Sequence, residues 1–222
     1  MLSLILAESS LELVPFAIQS HPSIMSHADK LGKHPSKILL DNSWHFAGMK
    51  GIENEIKRGR PDLVHFSILE ATSIPLYYEN KLKFFIHTTN DKVISFTENV
   101  HIPKSYHRFA GLFEKLFLEK AIKSSNQELL SIKDQSFSQL IDELGPSQVI
   151  GLSTAGKQNS FQHVAANLDN DSCIIVGGFQ KGHFSDSVSK RIDHLFSINS
   201  APLESHVVVA RMLHECEKTI FM

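Results

Sequence analysis

Cys173-Ile174-Ile175-Val176-Gly177-Gly178 is the stretch whose reading decides the fold. Four apolar residues run directly into two glycines, which reads as a buried strand that stops where a backbone can approach a ligand closely. The segments around it alternate in type. Upstream, Gln148 to Leu152 reads as a strand and Ser160 to Leu168 as a helix. Downstream, His194 to Ile198 reads as another strand, and a last helix runs from about Leu203 to Ile220 with Val209, Leu213, Cys216 and Ile220 as its apolar stripe. Short apolar runs alternating with amphipathic segments predict an α/β fold.

The first half follows the same logic less regularly. Leu2 to Ala7 and Lys37 to Leu40 read as buried strands, while Leu63 to Leu69 is an apolar run of either type. Lys83 to His87 and Val93 to Phe96 flank Asn90-Asp91, a hairpin turn signal. Pro103 and Ser105 open a long helix whose Tyr106, Phe109, Phe113, Leu116 and Phe117 recur on one face. One domain, residues 1–222, with a β-hairpin insertion at about 80–103, accommodates all of this.

Composition narrows the function. With 222 residues and 42% hydrophobic content the chain can bury a sizeable core. A net charge of -2 means that any nucleic-acid site must be a local basic patch. Two cysteines, Cys173 and Cys216, lie in apolar runs, so a reducing cytoplasm is the simple reading. The apolar start, Met1 to Ala7, is short and lacks a basic leader, and no run approaches the roughly 20 residues of a membrane span. Thirteen histidines suggest metal, but no HExxH, CxxC or Cys/His quartet is spaced for it, so no metal is expected.

Several constellations could carry chemistry. Lys57-Arg58-Gly59-Arg60-Pro61-Asp62 sets two arginines about a glycine, with Asp62 placed to pair with Arg60; arginine's planar fork suits phosphate or base edges. On charge pattern alone the plainer reading, a solvated run before a strand, is favoured. His101-Ile-Pro-Lys104-Ser-Tyr-His-Arg108 leads into the long helix, which would place Lys104 and Arg108 one turn apart, near amides free to meet an anion. Gly177, Gly178 and Gly182 form a glycine loop after a strand that is not the dinucleotide fingerprint. Ile198, Asn199, Ser200, Ala201, Pro202 and Leu203 form a small-residue loop before the last helix, suited to an adenine pocket or to a plain turn.

Taken together and in this order, these pieces resemble the ribosome-biogenesis pseudouridine N1-methyltransferases of the SPOUT class. The resemblance spans nearly the whole chain. It is carried by Leu4-Ile-Leu-Ala-Glu-Ser-Ser-Leu-Glu-Leu13, Arg58-Gly-Arg-Pro-Asp-Leu-Val-His-Phe66, Ile102-Pro-Lys-Ser-Tyr-His-Arg-Phe-Ala-Gly111 and Val176-Gly-Gly-Phe-Gln-Lys-Gly182. The chain looks like the shorter archaeal type. The resemblance implies a SPOUT-type fold with a C-terminal trefoil knot over about residues 148–205, and a homodimer with shared sites. It implies S-adenosylmethionine as methyl donor, held by Leu152, Gly177, Gly178, Gly182 and the run Ile198 to Leu203. The substrate implied is small-subunit (16S) rRNA, contacted by Arg60, His101, Lys104 and Arg108. Arg60 and Asp62 are the implied catalytic pair, with Asp62 expected to brace Arg60, since a carboxylate spent on a guanidinium is a poorer base. His101 stands where an arginine is frequent, and Ser73-Ile74-Pro75 stands for the usual Asp-Ser-Pro. Rival readings are a related methyltransferase acting on tRNA or a ribose 2'-hydroxyl, and a non-catalytic rRNA-binding assembly factor.

Overall fold

The computed structural model describes residues 1–125 and 127–221. The strands are β1 (Leu2–Ser9), β2 (Leu82–Thr88), β3 (Lys92–Phe96), β4 (Ala121–Ser124), β5 (Gln127–Asp134), β6 (Val149–Gln158), β7 (Cys173–Gly177) and β8 (His194–Ser197). The helices are α1 (Pro22–Leu31), α2 (Asn42–Met49), α3 (Pro61–Thr72), α4 (Pro75–Tyr78), α5 (Tyr106–Glu119), α6 (Phe137–Leu144), α7 (Phe161–Ala166), α8 (Asp186–Ser189) and α9 (Ser205–Phe221).

All strands join one 8-stranded sheet in the order β4-β5-β3-β2-β1-β7-β6-β8. The run from β2 to β8 is parallel, and β3, β5 and β4 extend it antiparallel. Central strands of a parallel sheet are covered on both faces, which is why β1 and β7 are apolar without alternation. Leu4, Leu6, Ile174 and Val176 face one layer with α3, α5 and α9 residues such as Val64, Phe113 and Val209. Ile5, Ala7, Cys173 and Ile175 face the other, against Phe137, Leu140 and Ile141 of α6 and Val188 of α8. A third cluster, including Ile24, Ala28, Leu40 and Met49, lies around α1 and α2.

Several expectations need correction. Lys37 to Leu40 is not a strand: a 3-10 turn, Pro35–Lys37, precedes an extended piece held by an isolated bridge from Leu13 to Leu39. The run 63–69 lies within helix α3, opened by Pro61, whose fixed φ suits a first helical position. The charge run therefore precedes a helix. The long helix begins at Tyr106 with Ser105 as its cap, so Lys104 precedes the helix and its spacing to Arg108 is not a helical turn. Strands β4 and β5 carry no clear strand pattern because their outward residues are polar and mostly exposed, at the end of the sheet where β4 is the edge. The hairpin about Asn90-Asp91 forms, with β2 also paired to β1, so it is continuous with the main sheet. Of the α9 stripe, Val209, Leu213 and Cys216 are buried within the chain, whereas Ile220 is exposed.

At the C-terminal ends of the parallel strands the backbone does something irregular. β6 pairs with β8 twice, through Leu152↔Phe196 and again through Lys157↔Phe196, with the intervening residues excursive. A Cβ on Gly156 would stand 2.6 Å from the backbone of Leu195 and Phe196, so only glycine lets these segments pass. Among the described residues no helix is long and apolar enough to cross a membrane.

Candidate active site

Ligand crevices of open α/β sheets form at the carboxyl ends of the strands, and a cavity of about 300 Å³ lies there, beyond β6, β7 and β8. Leu152, Gly177, Gly182, Ile198, Asn199, Ala201, Pro202 and Leu203 line it, so three segments up to 51 residues apart in sequence (152 to 203) meet around one space. Val176 and Val208 add apolar wall, and Thr154, Gln180, Lys181, His183 and Ser205 add polar groups. The Ser205 hydroxyl donates to the Gly177 carbonyl, which pins the start of α9 to the end of β7. An apolar wall with a few convergent polar groups suits a nucleoside-sized ligand.

Two expected residues do not line this space. Ser200 is exposed outside it. Gly178 instead meets the tip of β1: its N–H donates to the Ala7 carbonyl at 2.7 Å, its own carbonyl accepts from Ser10 N–H at 2.8 Å, and a Cβ would lie 2.7 Å from Ser9 Cα. Its smallness serves packing between strands. Gly182 does need its freedom, with φ +108°. The wall residue Phe184 and the α9 residues Ser205 and Val208 carried no local signal, because only the tertiary fold brings them to the cavity.

The second constellation sits at the starts of α3 and α5. Arg60 donates to both carboxylate oxygens of Asp62, Nε to Oδ1 at 2.8 Å and Nη2 to Oδ2 at 2.9 Å. This fork is the strong form of the ion pair, and the Asp62 hydrogen bond raises the Arg60 pKa above its ordinary value. Asp62 also lies in the first turn of α3, where a negative charge meets the helix dipole favourably. Glu204, next to Leu203 of the cavity wall, and Asp41 add their fields at Arg60. The Arg60 side chain stays 21% exposed, within reach of a solvent-side ligand.

His65 joins this helix to the other. Its Nε2 donates to the Pro103 carbonyl at 2.8 Å and its ring stacks on Phe109 at 4.2 Å. Burial lowers its pKa and favours the neutral ring. Lys104 and Arg108 project into solvent beside this joint. The Tyr106 hydroxyl donates to Asp41, and burial, with that bond, pushes its pKa up. Arg58 is otherwise engaged: Nε and Nη2 grip Glu12 at 2.6 and 2.7 Å, so of the two arginines it has a structural role. His101 is exposed and stands against the Tyr78 ring at 6.3 Å. Where Asp-Ser-Pro is replaced, Ile74 caps α4 without a side-chain acceptor, and Glu217 of α9 accepts from Leu76 N–H at 3.2 Å.

Buried histidines are structural. Asp41 N–H donates to Nδ1 of His45, so its Nε2 carries the proton and donates to His27 Nδ1 at 2.9 Å; burial lowers the His45 pKa to about 4. Among the described residues no group of three or more His, Cys, Asp or Glu side chains could hold a metal ion.

The chain's relatives agree with one another. The family model described as EMG1/NEP1 methyltransferase matches residues 4–217. A ribosomal RNA small subunit methyltransferase Nep1 from Thermococcus onnurineus is 37% identical over 217 residues, covering 96% of each chain. The Nep1 of Thermococcus sibiricus is 37% identical over 222 residues, covering 99% of each. The crystal structure of Archaeoglobus fulgidus Nep1 bound to S-adenosylhomocysteine superposes with a TM-score of 0.89 at 32% identity, covering 99% of both chains.

Proposed function

The chain belongs to the EMG1/NEP1 methyltransferase family, and on that premise we propose that it methylates N1 of a pseudouridine in small-subunit rRNA, with S-adenosylmethionine as donor. It does so in the cytoplasm, as a single domain, and contributes to ribosome biogenesis. The observation that carries this reading is the convergence of Leu152, Gly177, Gly182 and most of the 198–203 loop on one cavity. A relative with 32% identity over the full length binds S-adenosylhomocysteine.

The cavity fits such a cofactor. Leu152, Val176, Ile198 and Leu203 offer an apolar slot for adenine, and Asn199 and Ser205 offer polar atoms for the ribose or the amino acid end. When bound, S-adenosylmethionine supplies a methyl group on a sulfonium, which leaves as a neutral thioether and needs no acid. The residues of this chain hold the acceptor nitrogen in line, a proximity effect. Arg60 presents its free guanidinium edge to the flipped-out nucleotide. Asp62 has both oxygens occupied by Arg60, which favours the bracing role over that of general base. Lys104, Arg108 and His101 hold flanking phosphates.

The double pairing of β6 with β8 and the close passage at Gly156 support a trefoil knot over about residues 148–205. The hairpin region 80–103 is read as an insertion relative to simpler knotted methyltransferases. A homodimer is part of the proposal, but the buried α9 stripe is not its interface; exposed Phe66 of α3, beside His206 of α9, is the better candidate.

Calorimetry with S-adenosylhomocysteine tests the cofactor, and mass spectrometry of nucleosides from 16S rRNA of a deletion strain tests the product. Binding, together with loss of N1-methylpseudouridine, is expected. A lost tRNA mark or ribose methyl would redirect the substrate, and no cofactor binding would leave the assembly-factor reading. Light scattering at micromolar concentration should give twice the 24.9 kDa of one chain.

A further inference from the structure

Lys57 reaches away from the basic patch and into the wall of the cavity. Its Nζ pairs with Glu8 Oε2 at 2.9 Å, with both side chains mostly buried, and stands 4.5 Å from the centre of the Phe179 ring. Its Cε lies 3.2 Å from where a Cβ on Gly182 would be. Both Glu8 carboxylate oxygens accept from Ser185 N–H, at 3.1 and 3.2 Å. Glu8 takes φ +49° at the end of a strand, an uncommon backbone for a residue with a long side chain, and it is held there among these partners. One ion pair thus fastens the tip of β1 to both ends of the 179–185 loop, the ammonium at Phe179 and the carboxylate at Ser185.

The main chain of Lys57 is equally constrained. Its carbonyl accepts from the Ser10 hydroxyl, and the next residue, Arg58, is clamped to Glu12. Arg60 follows two residues later, already locked to Asp62. The segment from Lys57 to Asp62 is therefore a short, tied strut. One end touches the cavity wall and the other presents a guanidinium to solvent.

We propose that Lys57 is a positioning residue that couples the cofactor cavity to RNA recognition at Arg60. A ligand seated against Phe179 and Gly182 bears on the loop that the Glu8–Lys57 pair fastens, and the strut carries that contact to Arg60, where RNA meets it. The inference rests on the methyltransferase reading of both sites. Linkage makes the coupling reciprocal: RNA must tighten cofactor binding by the same factor.

The test measures binding of a 16S rRNA transcript with and without saturating S-adenosylhomocysteine, for the wild type and for variants. In the wild type the cofactor product should tighten RNA binding by about tenfold, within the usual range of coupling between sites. In Lys57→Met, which keeps the packing and removes the charge, that factor should fall to about one. Glu8→Gln frees the ammonium without changing shape and should lower it likewise, so the test survives failure of either variant to fold. Lys57→Arg can pair with Glu8 and stack on Phe179, and it should restore most of the coupling. A brace with only a structural role would weaken both ligands and leave their coupling factor intact; that result overturns the proposal. So does a wild type that binds both ligands independently. A wild type that binds RNA but no S-adenosylhomocysteine removes the cofactor reading beneath it, a distinguishable failure.

Discussion

The cavity at the ends of β6 to β8 and the patch at the starts of α3 and α5 are built by opposite means. The cavity is mostly backbone and small or apolar side chains, drawn from segments far apart in the chain. Its shape depends on close passages where a methyl group would collide with main chain. The patch is made of charged side chains on helix starts, with Lys104 and Arg108 free in solvent and only Arg60 fixed by a fork to Asp62. A site shaped by backbone should fail abruptly on substitution, because a packed main chain cannot yield by the needed ångström. A site made of screened charges should fail gradually and in proportion to salt.

The largest expected effect tests the backbone half of that contrast. Gly156→Ala puts a Cβ 2.6 Å from the Leu195 and Phe196 main chain, and it should cost about 3 kcal/mol, the upper end for overpacking. Urea unfolding would read this directly, and an unchanged midpoint would show that the passage is not tight. Next comes Gly182→Val, where φ is +108° and Lys57 crowds the new side chain. About 2 kcal/mol, or thirtyfold in S-adenosylhomocysteine affinity, should be lost by calorimetry.

Asp62→Asn lies between the two behaviours. If Asp62 braces Arg60, RNA affinity should fall about five- to tenfold as the charge-assisted fork weakens, while bound substrate is still methylated near the normal rate in a single turnover. Normal binding with a hundredfold collapse of that rate would instead make Asp62 the base. The smallest effects belong to the free charges. Lys104→Ala and Arg108→Ala should each weaken RNA binding a few fold and flatten the salt dependence by about one phosphate contact. Cofactor affinity should not change. A salt slope that stayed the same would remove those residues from the interface.

How far each region could be read in advance differs for the same reason. The strand end at Val176-Gly177 and the small-residue loop from Ile198 to Leu203 were legible locally, while the set of ten cavity residues came from the family resemblance, and eight of them line the cavity. Gly178 packs on Ser9 and does not line the cavity, and a glycine needed for such a contact looks the same in sequence as one needed for a ligand. Phe184, Ser205 and Val208 were not legible at all, since nothing in their own neighbourhood says what they will face. The Arg60–Asp62 pair was readable because two residues of separation at a helix start leave the side chains within reach. In sequence Lys57 reads only as the head of a charge run, because its partner, Glu8, comes from a strand 49 residues earlier.

Periodicity and composition by themselves determined the α/β class, the burial of β1 and β7, the long helix α5 and the absence of a global positive charge. These follow from local propensity and from which residues can leave water, and both are properties of short stretches. The ordered motifs likewise pointed to the family. Only the tertiary structure decided that 63–69 is helical, that β4 and β5 extend the sheet, and that the α9 stripe is spent inside the chain. It also decided that one of three neighbouring cations serves the cavity wall, one the Glu12 anchor and one the solvent side. Those outcomes depend on which distant surfaces meet, and burial and charge pairing act only after the chain has brought them together.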